Sequence, residues 1–291
     1  MLTFPTDRPL LVFGGPYSNL AATEAMMAEA ERLGIPPEHI ICTGDVVAYC
    51  AEPEATTKLI RHWGIHVVAG NCEEQLAAGA ADCGCNFEEG TACDLLAKGW
   101  YPFANARVSA ASRAWMGGLP AALMFGYAGS RFRVIHGGVN QVNRWVFASD
   151  RPVLAVEMRA ADADVVVAGH AGLPFIARVG KGVWFNPGVI GMPANDGTAS
   201  VWYGLIDATH GGGIRLSTHR LAYDASRSAA AVRRYRYADG YARALVTGLW
   251  PSLDVLPPAE REETGVRLKR RTMTLAPTGP RAVAAAAEAA E

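Results

Sequence analysis

Residues 39–45 read His-Ile-Ile-Cys-Thr-Gly-Asp, and residues 65–73 read Ile-His-Val-Val-Ala-Gly-Asn-Cys-Glu. Each is a short apolar run that stops at a glycine followed by a polar side chain, the pattern of a buried strand delivering one residue into a loop. Between them Pro53–Trp63 has helical spacing, with proline at its start and Gly64 just beyond its end. Strand, helix and strand in this order predict a sheet with crossover helices packed on it.

The same texture extends outward in both directions. Residues 9–14 (Pro-Leu-Leu-Val-Phe-Gly) predict a strand, and 19–33 a helix that ends before Gly34-Ile35-Pro36-Pro37. Further on, 131–135 predicts a strand ending at His136-Gly137-Gly138, 152–161 a helix, and 164–168 a strand ending at Gly169-His170. A hairpin is expected over 175–178 and 182–185, followed by strands at 200–206 and 213–222. Residues 72–98 are rich in Cys, Gly and acidic side chains, and predict a short helix followed by a loop.

The expected organisation is a domain over 1–223 and a C-terminal helical extension over 224–291, with a frayed or disordered Ala/Glu tail from Ala282. Tyr241, Leu245, Leu249 and Trp250 of the extension are expected to cover an edge of the fold, the alternative being a partner subunit in a homo-oligomer.

Four strand ends therefore present a metal-competent side chain: Asp45, Asn71, His136 and His170. Open α/β sheets collect ligands at the carboxyl ends of their strands, so these four are expected to converge. Singly, each has an ordinary reading as a turn residue, a helix cap or a hydrogen-bonded histidine. Their combination is what points to a metal site.

The set resembles the calcineurin-like metallophosphoesterase superfamily, whose signature runs Asp-x-His, Gly-Asp, Gly-Asn-His or Gly-Asn-Cys, a later His, and Gly-His-x-His. This chain offers Gly44-Asp45, Gly70-Asn71-Cys72, His136-Gly137, Gly169-His170, and then Asn186-Pro187-Gly188, in matching order over residues 9 to about 206. The resemblance implies an α/β fold with four αββα layers, two mixed sheets flanked by helices. It also implies two metal ions bridged by the Gly-Asp carboxylate. Asp45 would be that carboxylate, and Asn71, His136 and His170 would complete the shell of the second ion.

Three positions depart from the pattern. Gly15-Pro16-Tyr17 stands where Asp-x-His is expected, and Gly172 where the last histidine is expected. In the family these three positions supply ligands of the first ion only, so the resemblance implies that one half of the centre is emptied and the other kept. Asp and Asn oxygens with two imidazoles suit Mn, Fe, Zn or Co, as one ion or two. The implied activity is hydrolysis of a phosphomonoester or phosphodiester of a small molecule or nucleotide by a metal-activated water, with Asp45, Asn71 and His136 in catalytic roles. Alternatives are a non-catalytic metal- or ligand-binding sensor on the same fold, or a Cys-rich metal or redox protein.

Other side chains are expected near this centre. Tyr17 replaces a histidine and is a possible extra ligand, or a packed ring at the cleft floor. Cys72, Cys83, Cys85 and Cys93 are either replacement soft ligands or free loop thiols. Arg144 is a possible phosphate fork, and Asn195-Asp196 a possible substrate loop or a plain turn.

A formal charge of -1 gives no general attraction to nucleic acid or anionic membrane, and the basic runs near Arg233 and Arg267 read as solvated faces. No apolar stretch reaches the ~18 residues of a membrane span. Six cysteines without an evident export signal predict reduced thiols and a cytoplasmic location.

Overall fold

The computed structural model describes residues 2–85, 87–235 and 239–277; the tail expected to fray from Ala282 lies outside them. The chain runs β1 (Leu2–Thr3), β2 (Leu10–Phe13), α1 (Leu20–Arg32), β3 (Ile40–Cys42), α2 (Pro53–Trp63), β4 (His66–Val67) and α3 (Asn71–Ala78). Next come α4 (Ala92–Asn105), α5 (Ala110–Gly117), β5 (Ala122–Tyr127), β6 (Ser130–Ile135), α6 (Arg151–Ala161), β7 (Val165–Ala168), β8 (Phe175–Val179) and β9 (Gly182–Asn186). The last elements are β10 (Val201–Ala208), β11 (Ile214–Leu221), α7 (Ala225–Tyr235), α8 (Asp239–Thr247), α9 (Pro258–Glu262) and β12 (Thr272–Leu275).

Two six-stranded mixed sheets result, ordered β1-β5-β6-β7-β9-β8 and β12-β11-β10-β2-β3-β4. Strand alternation explains how they stack. Leu10 and Val12 join Phe132, Val134, Val165 and Val167 in a core shared by the two sheets. The intervening Leu11 and Phe13 pack instead with Met26, Ala30, Ile60 and Trp63 of α1 and α2. On the other sheet Val166 and Ala168 pack with Leu154 and Ala161 of α6. Period-two side chains thus serve two cores from each sheet and produce the helix–sheet–sheet–helix order.

The strands β2, β3 and β4 are mutually parallel, as are β6, β7 and β9. Their carboxyl ends form the edge on which the site is built.

Two stretches differ from expectation. The loop expected up to 98 ends early in α4, which Thr91 caps by accepting from Asp94 N, and which buries Trp100, Tyr101 and Ala104. Its Gly99 and Pro102 obscure the helical spacing, and burial of the aromatic face overrides them. The segment after 224 also supplies a strand: β12 pairs antiparallel with β11, Ile214 opposite Leu275. Tyr241 and Leu245 are buried against the chain's own Tyr17, Trp100 and Val232, whereas Leu249 is exposed.

Candidate metal centre

Each of the four strand-end residues is placed by the turn that follows its strand. Asp45 follows Gly44 just after β3, Asn71 opens α3, His136 directly follows β6, and His170 follows Gly169 after β7. Asp45 and His170, with Tyr17, hold left-handed backbone angles (φ 55, 56 and 51°) that non-glycine residues seldom adopt. Such angles cost energy and gather here at one sheet edge, as they commonly do at ligand sites.

All four side chains are buried and meet at one atom. His136 Nε2 lies 3.1 Å from Asn71 Oδ1, 3.2 Å from Asp45 Oδ2 and 3.1 Å from His170 Nδ1. His136 Nδ1 is 2.6 Å from the Thr43 carbonyl, which can only accept. In the neutral ring Nδ1 therefore carries the proton, and Nε2 turns a lone pair towards the other three atoms. Asn71 is held the same way: its Nδ2 donates to Cys83 O at 2.8 Å and towards the Cys85 and Cys72 sulfurs at 3.3 and 3.6 Å, leaving Oδ1 for His136.

A cluster of lone pairs on Asp45, Asn71, His136 and His170 calls for a cation at its centre. Burial works against the His136 imidazolium, yet the Asp45 carboxylate and the Thr43 carbonyl outweigh it and raise its pKa. Burial, and then the neighbouring His136 charge, push His170 down to about 3. The two shifts run in opposite directions, so the two imidazoles are not protonated together. A proton can take the central place, and the two nitrogens and two oxygens also suit a borderline transition metal. Among the described residues Asp45, His136 and His170 are the group of three or more His, Cys, Asp or Glu side chains whose ligand atoms lie within 4.8 Å of one another.

Glu73 is fully buried, and its carboxylate accepts from Asp45 N at 2.7 Å, Val46 N at 2.9 Å and Gly70 N at 2.9 Å. Burial, then the Asp45 charge, raise its pKa to about 7. This residue clamps the loop that carries Asp45, and the sequence reading passed over it. Its signal was the acidic side chain three residues after Gly70, the capping-box position at a helix start. Trp145 was also missed; its ring centroid sits 4.2 Å from that of His170.

Aromatic carbon packs beside the four residues, against Gly15 and Gly172. A Cβ on Gly15 would lie 2.4 Å from Cε1 and Cζ of Tyr17, so the tyrosine ring is folded across the space a side chain at residue 15 would take. A Cβ on Gly172 would lie 3.4 Å from Trp250 Cζ2, so the indole lies in contact distance of that position. Burial, and then the Asp45 charge, push the Tyr17 phenol well up, so it is neutral.

The remaining expected residues separate into distinct places. Cys72, Cys83 and Cys85 are buried in the apolar cluster beneath Asn71, and all six cysteines are free. Cys93 stands apart at the start of α4, where its N and that of Ala92 face Asp254. Arg144 is exposed. Asn195 and Asp196 turn away from the centre and bind the C-terminal segment. Asn195 Oδ1 accepts from Trp250 N at 2.9 Å, and Asp196 Oδ2 accepts from Arg220 Nη2 at 2.6 Å and Leu268 N at 3.1 Å. This loop is what holds Trp250 over Gly172.

The geometry gives a candidate metal site at the carboxyl edge of the strands. The calcineurin-like phosphoesterase superfamily domain matches residues 17–211, and this chain belongs to that superfamily, a family of metal-dependent phosphoesterases. A metallophosphoesterase from Sphaerobacter thermophilus has the same fold at a TM-score of 0.66 and 20% identity, covering 83% of this chain and 99% of that one. A hypothetical protein from Pyrococcus horikoshii OT3 superposes at a TM-score of 0.69 and 16% identity, covering 86% of this chain and 100% of that one. No curated protein matches the chain. No helix among the described residues is long and apolar enough to cross a membrane.

Proposed function

We propose that this chain hydrolyses a phosphomonoester or phosphodiester of a small molecule or nucleotide, using a single ion of Mn, Fe, Zn or Co held by Asp45, Asn71, His136 and His170. The observation that carries this reading is the convergence of three acceptor or ligand atoms within 3.2 Å of His136 Nε2. When bound, the ion supplies Lewis acidity at a phosphoryl oxygen and makes a water more acidic.

The chain's own residues do the positioning. Asp45 brings the negative charge that offsets the cation, and Glu73 fixes the Asp45 loop through three backbone N–H groups. The Thr43 carbonyl sets the His136 tautomer, and the Cys83 carbonyl sets the Asn71 amide. Such outer partners commonly carry 10–100-fold of metal affinity or activity. Burial of all four ligands lowers the local dielectric, which strengthens their pull on developing charge. The free thiols of all six cysteines support a cytoplasmic location.

A second reading, a metal-holding binding protein without turnover, is supported by the Tyr17 and Trp250 rings packed against Gly15 and Gly172. A panel of phosphomonoesters and phosphodiesters assayed with each of the four metals separates the two. Hydrolysis that disappears in His136→Ala supports the enzyme. Absence of hydrolysis with every metal supports the binding protein.

A further inference from the structure

The rings packed against Gly15 and Gly172 do not close the space beside the four residues completely. A cavity of about 60 Å³ opens beside His170 and Gly172, and its walls include Tyr17, Tyr49, Phe87, Trp145, Tyr241 and Trp250. These rings come from the loop after β2, the loop after β3, the loop before α4, the loop after β6, α8 and the segment after α8. Sequence-distant elements have converged to build one aromatic box.

We propose that this box binds an aryl group, so that the substrate is a phosphoester with an aromatic ring next to its phosphorus. The inference rests on the phosphoesterase reading for the placement of the phosphoryl group, and on the cavity alone for the ring.

Three features select this occupant. The first is charge: the cavity lining contains no Asp, Glu, Lys or Arg. An ionic or sugar-like group would be desolvated there without a partner, whereas a ring would not. The second is position: His170 and Gly172 are part of the lining, so an occupant of the box lies beside the proposed metal ligands. The third is geometry. Tyr17 and Tyr49 meet edge to face at 4.8 Å, and Tyr49 and Tyr241 lie tilted at 4.8 Å, so ring faces and edges are both offered to a guest.

The box is also pre-organised. Trp250 Nε1 donates to Pro193 O at 2.6 Å and its backbone N to Asn195 Oδ1 at 2.9 Å, which fix the indole before any ligand arrives. Trp145 contacts both sides, with its ring 4.2 Å from that of His170 and 6.2 Å from that of Phe87. A ring in the box therefore sits one residue from a proposed metal ligand. The positions that depart from the family pattern discriminate among leaving groups.

Binding of phenylphosphonate and methylphosphonate to the metal-loaded protein, compared by titration calorimetry, tests the inference. Phenylphosphonate is expected to bind at least tenfold more tightly, equivalent to about 1.4 kcal/mol. The ratio should fall towards one in Leu96→Trp, which crowds the rim, and in Trp250→Ala, which removes a wall. Leu96→Trp guards against misreading Trp250→Ala, which also loses the bonds to Pro193 and Asn195. Equal affinities of the two phosphonates for the wild-type protein would overturn the aryl box. The phosphoesterase reading is separated by a neutral probe, benzyl alcohol, followed by saturation-transfer NMR on chelator-treated protein. Its binding to wild type and not to Leu96→Trp supports the box even if neither phosphonate responds to metal; its failure to bind the wild type overturns the box while leaving the metal centre standing.

Discussion

The Tyr17 ring lies across Gly15, so that a Cβ on residue 15 would stand 2.4 Å from two of the ring carbons. Residue 15 also has φ of 29°, a backbone angle that side chains other than hydrogen rarely adopt. Gly15→Asp should therefore destabilise the protein, by about 1–3 kcal/mol from overpacking together with backbone strain. Gly15→Asp/Tyr17→His removes the ring and should recover part of that loss. Urea denaturation of the single and double variants measures the coupling; additive effects would show that the ring does not occupy this space.

Glu73 gives a second prediction. Glu73→Ala would leave three buried N–H groups on Asp45, Val46 and Gly70 without their acceptor. At about 1–3 kcal/mol for each unsatisfied donor, stability should fall by at least about 3 kcal/mol. Glu73→Gln keeps one acceptor oxygen and should lose less, while metal affinity drops on the order of 10–100-fold because Asp45 is no longer held. A metal titration of Glu73→Gln that matched wild type would remove Glu73 from the support of the centre.

Asp196 and Arg220 connect the body of the fold to the segment that carries Trp250. The Asp196 carboxylate is buried and accepts from Arg220, Thr198 and Leu268. Arg220→Ala strips the charge partner from a buried carboxylate and should cost about 3–5 kcal/mol. It should also loosen residues 248–268, visible as earlier cleavage there in limited proteolysis. Unchanged cleavage would mean that the loop does not anchor Trp250.

His219 sets a pH dependence independent of metal. Burial, and then the Arg270 charge, depress its pKa from 6.5 to about 4, and its ring stacks on Tyr203 at 5.2 Å. A depressed folded-state pKa means that the unfolded chain binds the proton first. The contribution of His219 is therefore present above pH 6.5 and declines as the pH falls towards 4. The group is half exposed, so the effect is modest. His219→Gln should show a shallower fall in Tm between pH 6.5 and 4; an identical slope would exclude the assignment.

Much of the centre was legible because the residues that build it lie at the ends of short apolar runs. Ile40–Cys42 and Val165–Ala168 are buried throughout, and such runs followed by glycine announce both a strand and the residue it delivers. The departures from the family pattern at Gly15, Tyr17 and Gly172 were legible, but what packs against them was not. Trp250 reaches Gly172 only because Asn195 and Pro193 hold it there, a relation across more than fifty residues that no local spacing encodes. Asn195 and Asp196 were read as substrate-side candidates or a turn because turn chemistry says where the chain bends and not what it meets. The α4 helix was hidden by Gly99 and Pro102, whose local cost is outweighed by burial of Trp100 and Tyr101.

The central claim is a centre with one metal ion, held by Asp45, Asn71, His136 and His170, beside aromatic rings packed against Gly15 and Gly172. Elemental analysis of metal per chain tests it most directly, for the wild type and for Asp45→Ala and His170→Ala after equilibration with excess Mn, Fe, Zn or Co and desalting. The account predicts one ion per wild-type chain and loss of that ion in both variants. Two ions per chain, or a content unchanged by either substitution, would contradict it.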